Sequence, residues 1–222
     1  MDFAAAAYRL GELFVPRACA GCQAPGEILC ARCRQHLRQA PHRISRSRDI
    51  GAPVFALGPY SDIRRNLIVA MKEYNNTAVR RYVGAVYAAG LEHLRARGEL
   101  PHEFEIVPAP TRARSARLRG GDPLTHIGEF AAAKIGGVAQ PITVRSCVRI
   151  RSHSPDQSRL SAEQRWANMA DAIECYRPVG NVQLPAVIID DVVTTGATLA
   201  GTVRCLRGAG MRVAGAVVLA DV

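Results

Sequence analysis

Residues 187–199 read Val-Ile-Ile-Asp-Asp-Val-Val-Thr-Thr-Gly-Ala-Thr-Leu, and they are the most informative part of the sequence. Its first three residues are typical of a buried parallel strand, which is apolar on both faces. Asp190 and Asp191 follow at the predicted end of that strand, and open α/β sheets bind their ligands at this edge. Small and hydroxylated residues then lead into a predicted helix over 197–208, whose free amides and positive dipole end favour an anion. The stretch therefore predicts a loop that grips a phosphate, with an acidic pair that faces sugar hydroxyls or Mg²⁺.

Predicted strands and helices alternate along much of the chain. Apolar patterning predicts strands at 54–60, 104–107, 141–148, 187–189 and 213–219, and helices at 4–14, 62–71, 77–97 and 197–208. Two further helix starts are marked by capping patterns: Asp122 before Pro123, and Ser161-Ala162-Glu163-Gln164. This alternation predicts an α/β fold with a mostly parallel sheet flanked by helices.

Four cysteines near the N-terminus have the spacing C-x2-C-x7-C-x2-C. Two such knuckles are typical of a tetrahedral four-thiolate zinc site that leaves no position open for a substrate. Disulfides are the alternative, but a cytosolic chain keeps its thiols reduced, and paired knuckles favour a metal over a redox-active pair. The predicted ligands of a structural Zn²⁺ are Cys19, Cys22, Cys30 and Cys33. The other cysteines are predicted to be single, inert core thiols: Cys147, Cys175 and Cys205.

Composition sets the broad class of the protein. The chain has 222 residues, of which 48% are hydrophobic, enough for one domain with a core and a small appendage. Its net charge is +10 and unevenly spread, since residues 166–222 carry −1 and the rest +11. A basic part of this kind favours a polyanionic partner such as phosphates, nucleic acid or acidic lipid, although a compositional bias of the source genome would give the same count.

No apolar run reaches the roughly 18 residues of a membrane span, and the N-terminus lacks the basic segment of a secretory signal, so we expect a cytoplasmic protein. The polar stretch 38–50 is predicted to be a linker. The predicted domains are a module over 1–40, with the N-terminal helix and the zinc site, and a larger domain over 51–222.

The stretch 187–199 resembles the signature of type I phosphoribosyltransferases, which binds 5-phosphoribosyl-1-pyrophosphate (PRPP). The resemblance implies that Asp190 and Asp191 hold the ribose hydroxyls, directly or through Mg²⁺. It also implies that the 5′-phosphate is wrapped by Val192, Val193, Thr194, Thr195, Gly196, Ala197 and Thr198. In the branch that transfers to 6-oxopurines, the position of Thr194 is usually an aspartate base. The hydroxyl found here disfavours hypoxanthine or guanine transfer by that mechanism.

Other segments extend the resemblance. The Pro108-Ala109-Pro110 turn leads into an arginine-rich loop, where Arg112 and Arg117 are the expected pyrophosphate ligands. Together with the cysteine knuckles and the Gln-x2-Leu-x4-Arg-x2-Asn pattern of 157–168, the chain resembles the competence protein F (ComF) family over about 15–219. That family usually has Phe-Asn where this chain has Gly121-Asp122, so no role of that pair is carried over.

Three functions are compatible with these patterns. The first is an enzyme that transfers a phosphoribosyl group to a nitrogen nucleophile, with catalysis by positioning and charge. The second, implied by the ComF resemblance, is an accessory of DNA uptake that binds single-stranded DNA, although an aromatic content of 5% argues against many stacking contacts. The third is a PRPP-sensing regulator without turnover. The segment Lys72-Glu73-Tyr74 is interpreted either as a mobile lid over PRPP or as the end of an amphipathic helix.

Overall fold

The protein was analysed as a computed structural model, which describes residues 18–45, 49–73, 76–111, 122–136, 142–151, 162–177 and 184–222. These residues form an α/β fold around a six-stranded, mostly parallel sheet, so the predicted class is confirmed. The predicted helix over 4–14 and the cap residue Ser161 lie outside the described residues.

The described part of the chain contains six helices and eight strands. In chain order they are α1 (Ala31–His36), β1 (His42–Ile44), β2 (Val54–Ala56), α2 (Asp62–Glu73), α3 (Thr77–Ala96), β3 (Glu105–Pro108), α4 (Pro123–Ile135), β4 (Thr143–Val144), β5 (Val148–Ile150), α5 (Ala162–Asp171), β6 (Ile173–Cys175), β7 (Ala186–Val193), α6 (Ala197–Gly208) and β8 (Val213–Asp221).

The main sheet has the strand order β1-β2-β8-β7-β3-β4, and every pairing except β1 with β2 is parallel. The long central strands β7 and β8 are buried over most of their length, as expected for parallel strands that are apolar on both faces. Strand β1 lies in the predicted linker 38–50. A short, mostly polar strand of this kind is well suited to a sheet edge, where one side faces water.

Each of the five predicted strands has other bounds in the structure, and two of the differences follow from strand pairing. Strand β7 continues to Val193 instead of ending at Ile189, because its residues remain paired with β8 as far as Asp221. The predicted strand over 141–148 is two strands, since β4 ends at Val144 and β5 belongs to a second, antiparallel sheet with β6. We call β5, α5 and β6 the hood; its helix α5 packs against α6.

The cysteine knuckles share their core with the rest of the chain. Cys19, Leu29, Cys33 and Leu37 belong to the same cluster of buried apolar residues as the central strands. The division into 1–40 and 51–222 stays a prediction, but loss of order in the knuckles will expose apolar surface of the larger part as well.

Arg64 joins three elements from inside the protein. Its side chain is fully buried on α2, where Nε donates to the carbonyl of Leu219 at 3.1 Å and Nη2 donates to the carbonyl of Leu57 at 2.7 Å. Its third nitrogen, Nη1, lies 3.3 Å from His36 Nε2 on α1. One guanidinium therefore connects the ends of β2 and β8 to the helix that carries Cys33.

We predict that Arg64→Met lowers the free energy of unfolding by about 3 kcal/mol, because each buried carbonyl left without a donor costs about 1–3 kcal/mol. Chemical denaturation measures this change. The matched control is Arg65→Met, since Arg65 is the next residue on the same helix and is exposed. Equal stability of the two variants would contradict a clamping role for Arg64.

Candidate functional site

The acidic pair lies near the C-terminal end of β7. Neighbouring residues of a strand point to opposite faces, so Asp190 and Asp191 have different surroundings. Asp191 is 5% exposed, whereas Asp190 is partly accessible although protein atoms surround its carboxyl. Asp190 Oδ1 accepts from the amide of Asp191 at 2.9 Å, and the hydroxyl of Tyr87 donates to the carbonyl of Asp190. Burial, and then the charge of Asp191, raise the pKa of Asp190 well above its usual range.

Asp191 has a cation of its own in the protein. The ammonium of Lys72 contacts Asp191 Oδ2 from the last turn of α2. That turn is held by Arg80, whose Nε and Nη2 donate to the carbonyl of Met71 at 3.2 and 3.0 Å. Lys72 thus lies at a helix end, which is the second of the two interpretations of its segment. Its charge compensates the acidic pair before any ligand is bound.

The residues after β7 form the predicted loop and helix start. Gly196 is the N-cap of α6 with φ at 80°, a left-handed conformation that favours glycine. A Cβ at this position would also lie 2.8 Å from Ile50 Cδ1, so the side chain is excluded by packing as well as by backbone conformation. The first helical bond of α6 runs from the amide of Ala200 to the carbonyl of Gly196 at 2.9 Å. The amides before Ala200 therefore have no acceptor within the helix, which is the arrangement that binds anions.

The hood touches this loop through a residue to which the sequence assigned no role. Trp166 on α5 donates from Nε1 to the carbonyl of Thr195 at 3.1 Å. The hydroxyls of Thr194 and Thr195 belong to exposed residues, while the Thr195 hydroxyl also lies 3.4 Å from the amide of Ala197. Trp166 lies within the Gln-x2-Leu-x4-Arg-x2-Asn pattern of 157–168. That pattern is the sequence signal that could have indicated a role for Trp166.

The predicted phosphate ligands divide into two groups. Val192 and Val193 are strand residues paired with Ala220 and Asp221 of β8, so they hold the register of the sheet. Residues 194–198 form the loop and the start of α6. The predicted pyrophosphate ligands Arg112 and Arg117 lie outside the described residues.

The turn that precedes those arginines does lie beside the acidic pair. Pro108 of β3 pairs with Ile189 of β7, and the amide of Ala109 donates to the carbonyl of Ile189 at 2.8 Å. The carboxyl ends of β3 and β7 therefore meet at one edge of the sheet, next to Asp190.

The four N-terminal cysteines come together as predicted. Their sulfurs all lie within 4.8 Å of one another, and no other such group of three or more His, Cys, Asp or Glu occurs among the described residues. The sulfurs of Cys22 and Cys30 are 3.7 Å apart, close to the spacing of about 3.8 Å between thiolates that are each about 2.3 Å from a tetrahedral metal. The cluster fits a metal ion of this geometry.

The backbone around the cluster favours thiolates. Although burial opposes ionisation, hydrogen bonds from the amides of Cys30, Cys22 and Gly21 lower the pKa of Cys19 to about 6. Burial and the neighbouring thiols raise the pKa of Cys33 in the protein without metal. Gly21 leaves the space that the site needs, since a Cβ there would lie 2.8 Å from Cys33 Sγ.

One cavity lies away from the β7–α6 loop. A cavity of about 420 Å³ lies between α1 and α3, with Leu37 and Val86 among its apolar lining and Arg38 and His93 among its basic lining. None of the described helices is both long and apolar enough to cross a membrane.

Comparison with known proteins gives one kind of match. No family model matches the chain, and no curated protein matches it. Among solved structures, the chain is similar to adenine phosphoribosyltransferase from Saccharomyces cerevisiae, in a crystal structure with adenine and an imino-altritol bisphosphate. The identity is 14%, the TM-score is 0.44, and the match covers 87% of this chain and 90% of that one.

We predict that protein purified without chelator contains one zinc per chain and that Cys30→Ser loses it, as elemental analysis will measure. Because such metal binding stabilises isolated modules by about 10–16 kcal/mol and the knuckles share the main core, the melting temperature of the whole chain should fall. Cys147→Ser is the control and should keep the metal. Purified protein without zinc would contradict the assignment.

We predict that Lys72→Met destabilises the protein by about 2 kcal/mol, less than the 3–5 kcal/mol of a fully buried pair because Lys72 is partly exposed. Adding Asp191→Asn should recover part of the loss, since no buried charge then lacks a partner. Lys134→Met is the matched control, because Lys134 is the only other lysine and lies exposed in the last turn of α4. Additive effects of the two changes at 72 and 191 would contradict the ion pair.

Proposed function

We propose that this protein is a type I phosphoribosyltransferase of the ComF kind, which binds PRPP with Mg²⁺ and transfers the phosphoribosyl group to a nitrogen nucleophile. One observation carries the proposal: the β7–α6 unit puts two carboxyl groups and the N-terminal amides of a helix at the same edge of a parallel sheet. Carboxylates suit ribose hydroxyls and Mg²⁺, while the amides suit a phosphate.

The 5′-phosphate would lie at the N-terminus of α6. There it would accept hydrogen bonds from the amides before Ala200 and from the hydroxyls of Thr194, Thr195 and Thr198. Gly196 would allow the phosphate to approach the backbone closely. The contact of Trp166 with the carbonyl of Thr195 supports a loop held in one shape before the ligand arrives.

The ribose would lie at the C-terminal end of β7, with its hydroxyls held by Asp190 and Asp191 directly or, for the carboxylate on the opposite face of the strand, through Mg²⁺. When bound, Mg²⁺ would neutralise charge on the pyrophosphate and weaken the bond to the leaving group. The oxygen donors of the pair fit this ion, although one carboxylate already has Lys72 beside it. Lys72 would therefore have to share Asp191 with the ligand or release it.

Transfer would depend on positioning and charge rather than on a base in the loop. Thr194 offers a hydroxyl where 6-oxopurine enzymes use an aspartate, so the acceptor would be a different nitrogen nucleophile. Arg112 and Arg117 would stabilise the departing pyrophosphate, and the meeting of β3 with β7 supports their approach to the site. The cysteine cluster would hold a structural Zn²⁺.

Binding of single-stranded DNA finds less support in the described residues. A continuous cationic track needs arginines free to meet phosphates. Several described arginines instead contact carboxylates: Arg34 with Glu27, Arg95 with Glu92, Arg145 with Glu105, Arg149 and Arg151 with Glu174, and Arg204 with Asp171. Two others, Arg64 and Arg80, are buried. The DNA-binding alternative stays a prediction that salt-dependent affinity would test.

We predict that calorimetry detects PRPP binding that Mg²⁺ strengthens, and that Thr198→Val weakens it about 10- to 100-fold, the effect of losing a hydrogen bond of about 1.5–3 kcal/mol to a charged group. Thr198 is a better test than Gly196, whose replacement strains the loop without any ligand. Thr77→Val, at the exposed first position of α3, is the matched control. Unchanged affinity in Thr198→Val at an unchanged melting temperature would contradict this phosphate site.

Turnover distinguishes an enzyme from a sensor. With PRPP and Mg²⁺, a panel of nucleobases and other nitrogen nucleophiles should include one that releases pyrophosphate. Binding without release across the panel would favour the regulator, and absence of PRPP binding would reject both.

A further inference from the structure

Two cysteines expected to be isolated lie side by side. Cys175 ends β6 and Cys205 lies on α6, and their sulfurs are 2.8 Å apart. A disulfide bond is about 2.05 Å long, so a small movement separates these thiols from bonding distance. The prediction that these two thiols are single is wrong, because β6 packs on α6 and brings together residues distant in sequence.

Cys175 and Cys205 lie on either side of the contact between the hood and α6, the helix that follows the predicted phosphate-binding loop. The other described polar contacts across this junction include the exposed ion pair from Arg204 to Asp171 at 2.6 Å and the bond from Trp166 to the carbonyl of Thr195. Exposed ion pairs stabilise weakly, by about 0–1 kcal/mol at most sites. A covalent link here would therefore change how firmly the hood is held.

We propose that Cys175 and Cys205 form a reversible disulfide that fastens the hood to α6. The oxidant is a low-molecular-weight disulfide such as oxidised glutathione. One thiolate attacks it, releases one thiol and forms a mixed disulfide; the second thiolate then displaces the other thiol and closes the bond between the cysteines. Two protein thiols are oxidised, and one disulfide is reduced to two thiols.

The rate of this thiol–disulfide exchange depends on how much of each cysteine is present as thiolate. Burial, and then the neighbouring Cys175 thiol, raise the pKa of Cys205 to about 12, so its thiolate is scarce at neutral pH. The pair should consequently remain reduced during brief exposure and oxidise during long equilibration. The proposal is independent of PRPP binding, since it depends only on the contact between β6 and α6.

A third thiol provides the matched control. Cys147 is 1% exposed and precedes Val148, which pairs with Cys175 in the hood sheet. Cys147→Ser removes a neighbouring thiol of the same region and leaves the proposed pair intact. Cys205→Ser and Cys175→Ser each remove one member of the pair.

The test equilibrates zinc-loaded protein with mixtures of reduced and oxidised glutathione and then blocks free thiols. Peptide mapping should find 175 joined to 205 in the parent and in Cys147→Ser, with a mass loss of two hydrogens that dithiothreitol reverses. The link should raise the melting temperature by on the order of 5–10 °C, as expected for closure of a loop of this length. Amide exchange in α5 and α6 should slow in the oxidised form.

Peptide mapping of the parent protein tests the proposal even if the cysteine variants do not fold. A cross-link that joins Cys147 to either member, a lasting mixed disulfide with glutathione, or two free thiols at 175 and 205 after equilibration would each overturn the proposal. A disulfide that forms without slowing exchange in α5 and α6 would overturn its fastening role.

Discussion

Two adjacent carboxyl groups near the end of a buried strand have to be compensated by the elements packed around them. A buried carboxylate without a partner is costly, so other elements must be arranged to meet it. Lys72 meets Asp191 from α2, and Tyr87 on α3 donates to the backbone of Asp190. Arg80 then holds the end of α2 by donating twice to the carbonyl of Met71. The packing of α2 and α3 on the sheet is therefore matched to the charge of β7, which a strand of purely apolar residues would not require.

Local sequence patterns were enough to predict β7, the loop after it and α6. They failed for features that are set by contacts between residues distant in sequence. The apolar run before Asp190, the glycine at 196 and the spacing of α6 all act within a few residues, so the strand, loop and helix could be predicted from sequence. The extent of β7 could not, because it is set by hydrogen bonds to β8. The pairing of Lys72 with Asp191 was missed for the same reason: no local periodicity relates the end of α2 to the end of β7. The cysteine cluster is the opposite case, since ligand spacing alone encodes its geometry.

The knuckles and the larger part of the chain stabilise each other in different ways. A segment of fewer than 40 residues buries too little apolar surface to fold on its core alone and usually needs a metal or disulfides. Here the four cysteine sulfurs form a cluster that fits a metal ion, while Asn66 on α2 donates to the carbonyl of Gly21 at 2.8 Å and Arg64 reaches toward α1. Since α2 also carries Lys72, one helix connects the knuckles to the acidic pair.

A ligand that engages Asp191 meets an ion pair rather than a free carboxylate. Its net gain is the difference between its own contacts and those of Lys72, so tight binding requires more charge or better geometry than one ammonium offers. A divalent cation together with ribose hydroxyls satisfies that requirement, whereas a neutral sugar without a metal does not. Release of Lys72 would in turn loosen the last turn of α2, whose Met71 carbonyl accepts from Arg80. The contact between Lys72 and Asp191 therefore affects both which ligands bind at the acidic pair and how well the last turn of α2 is ordered.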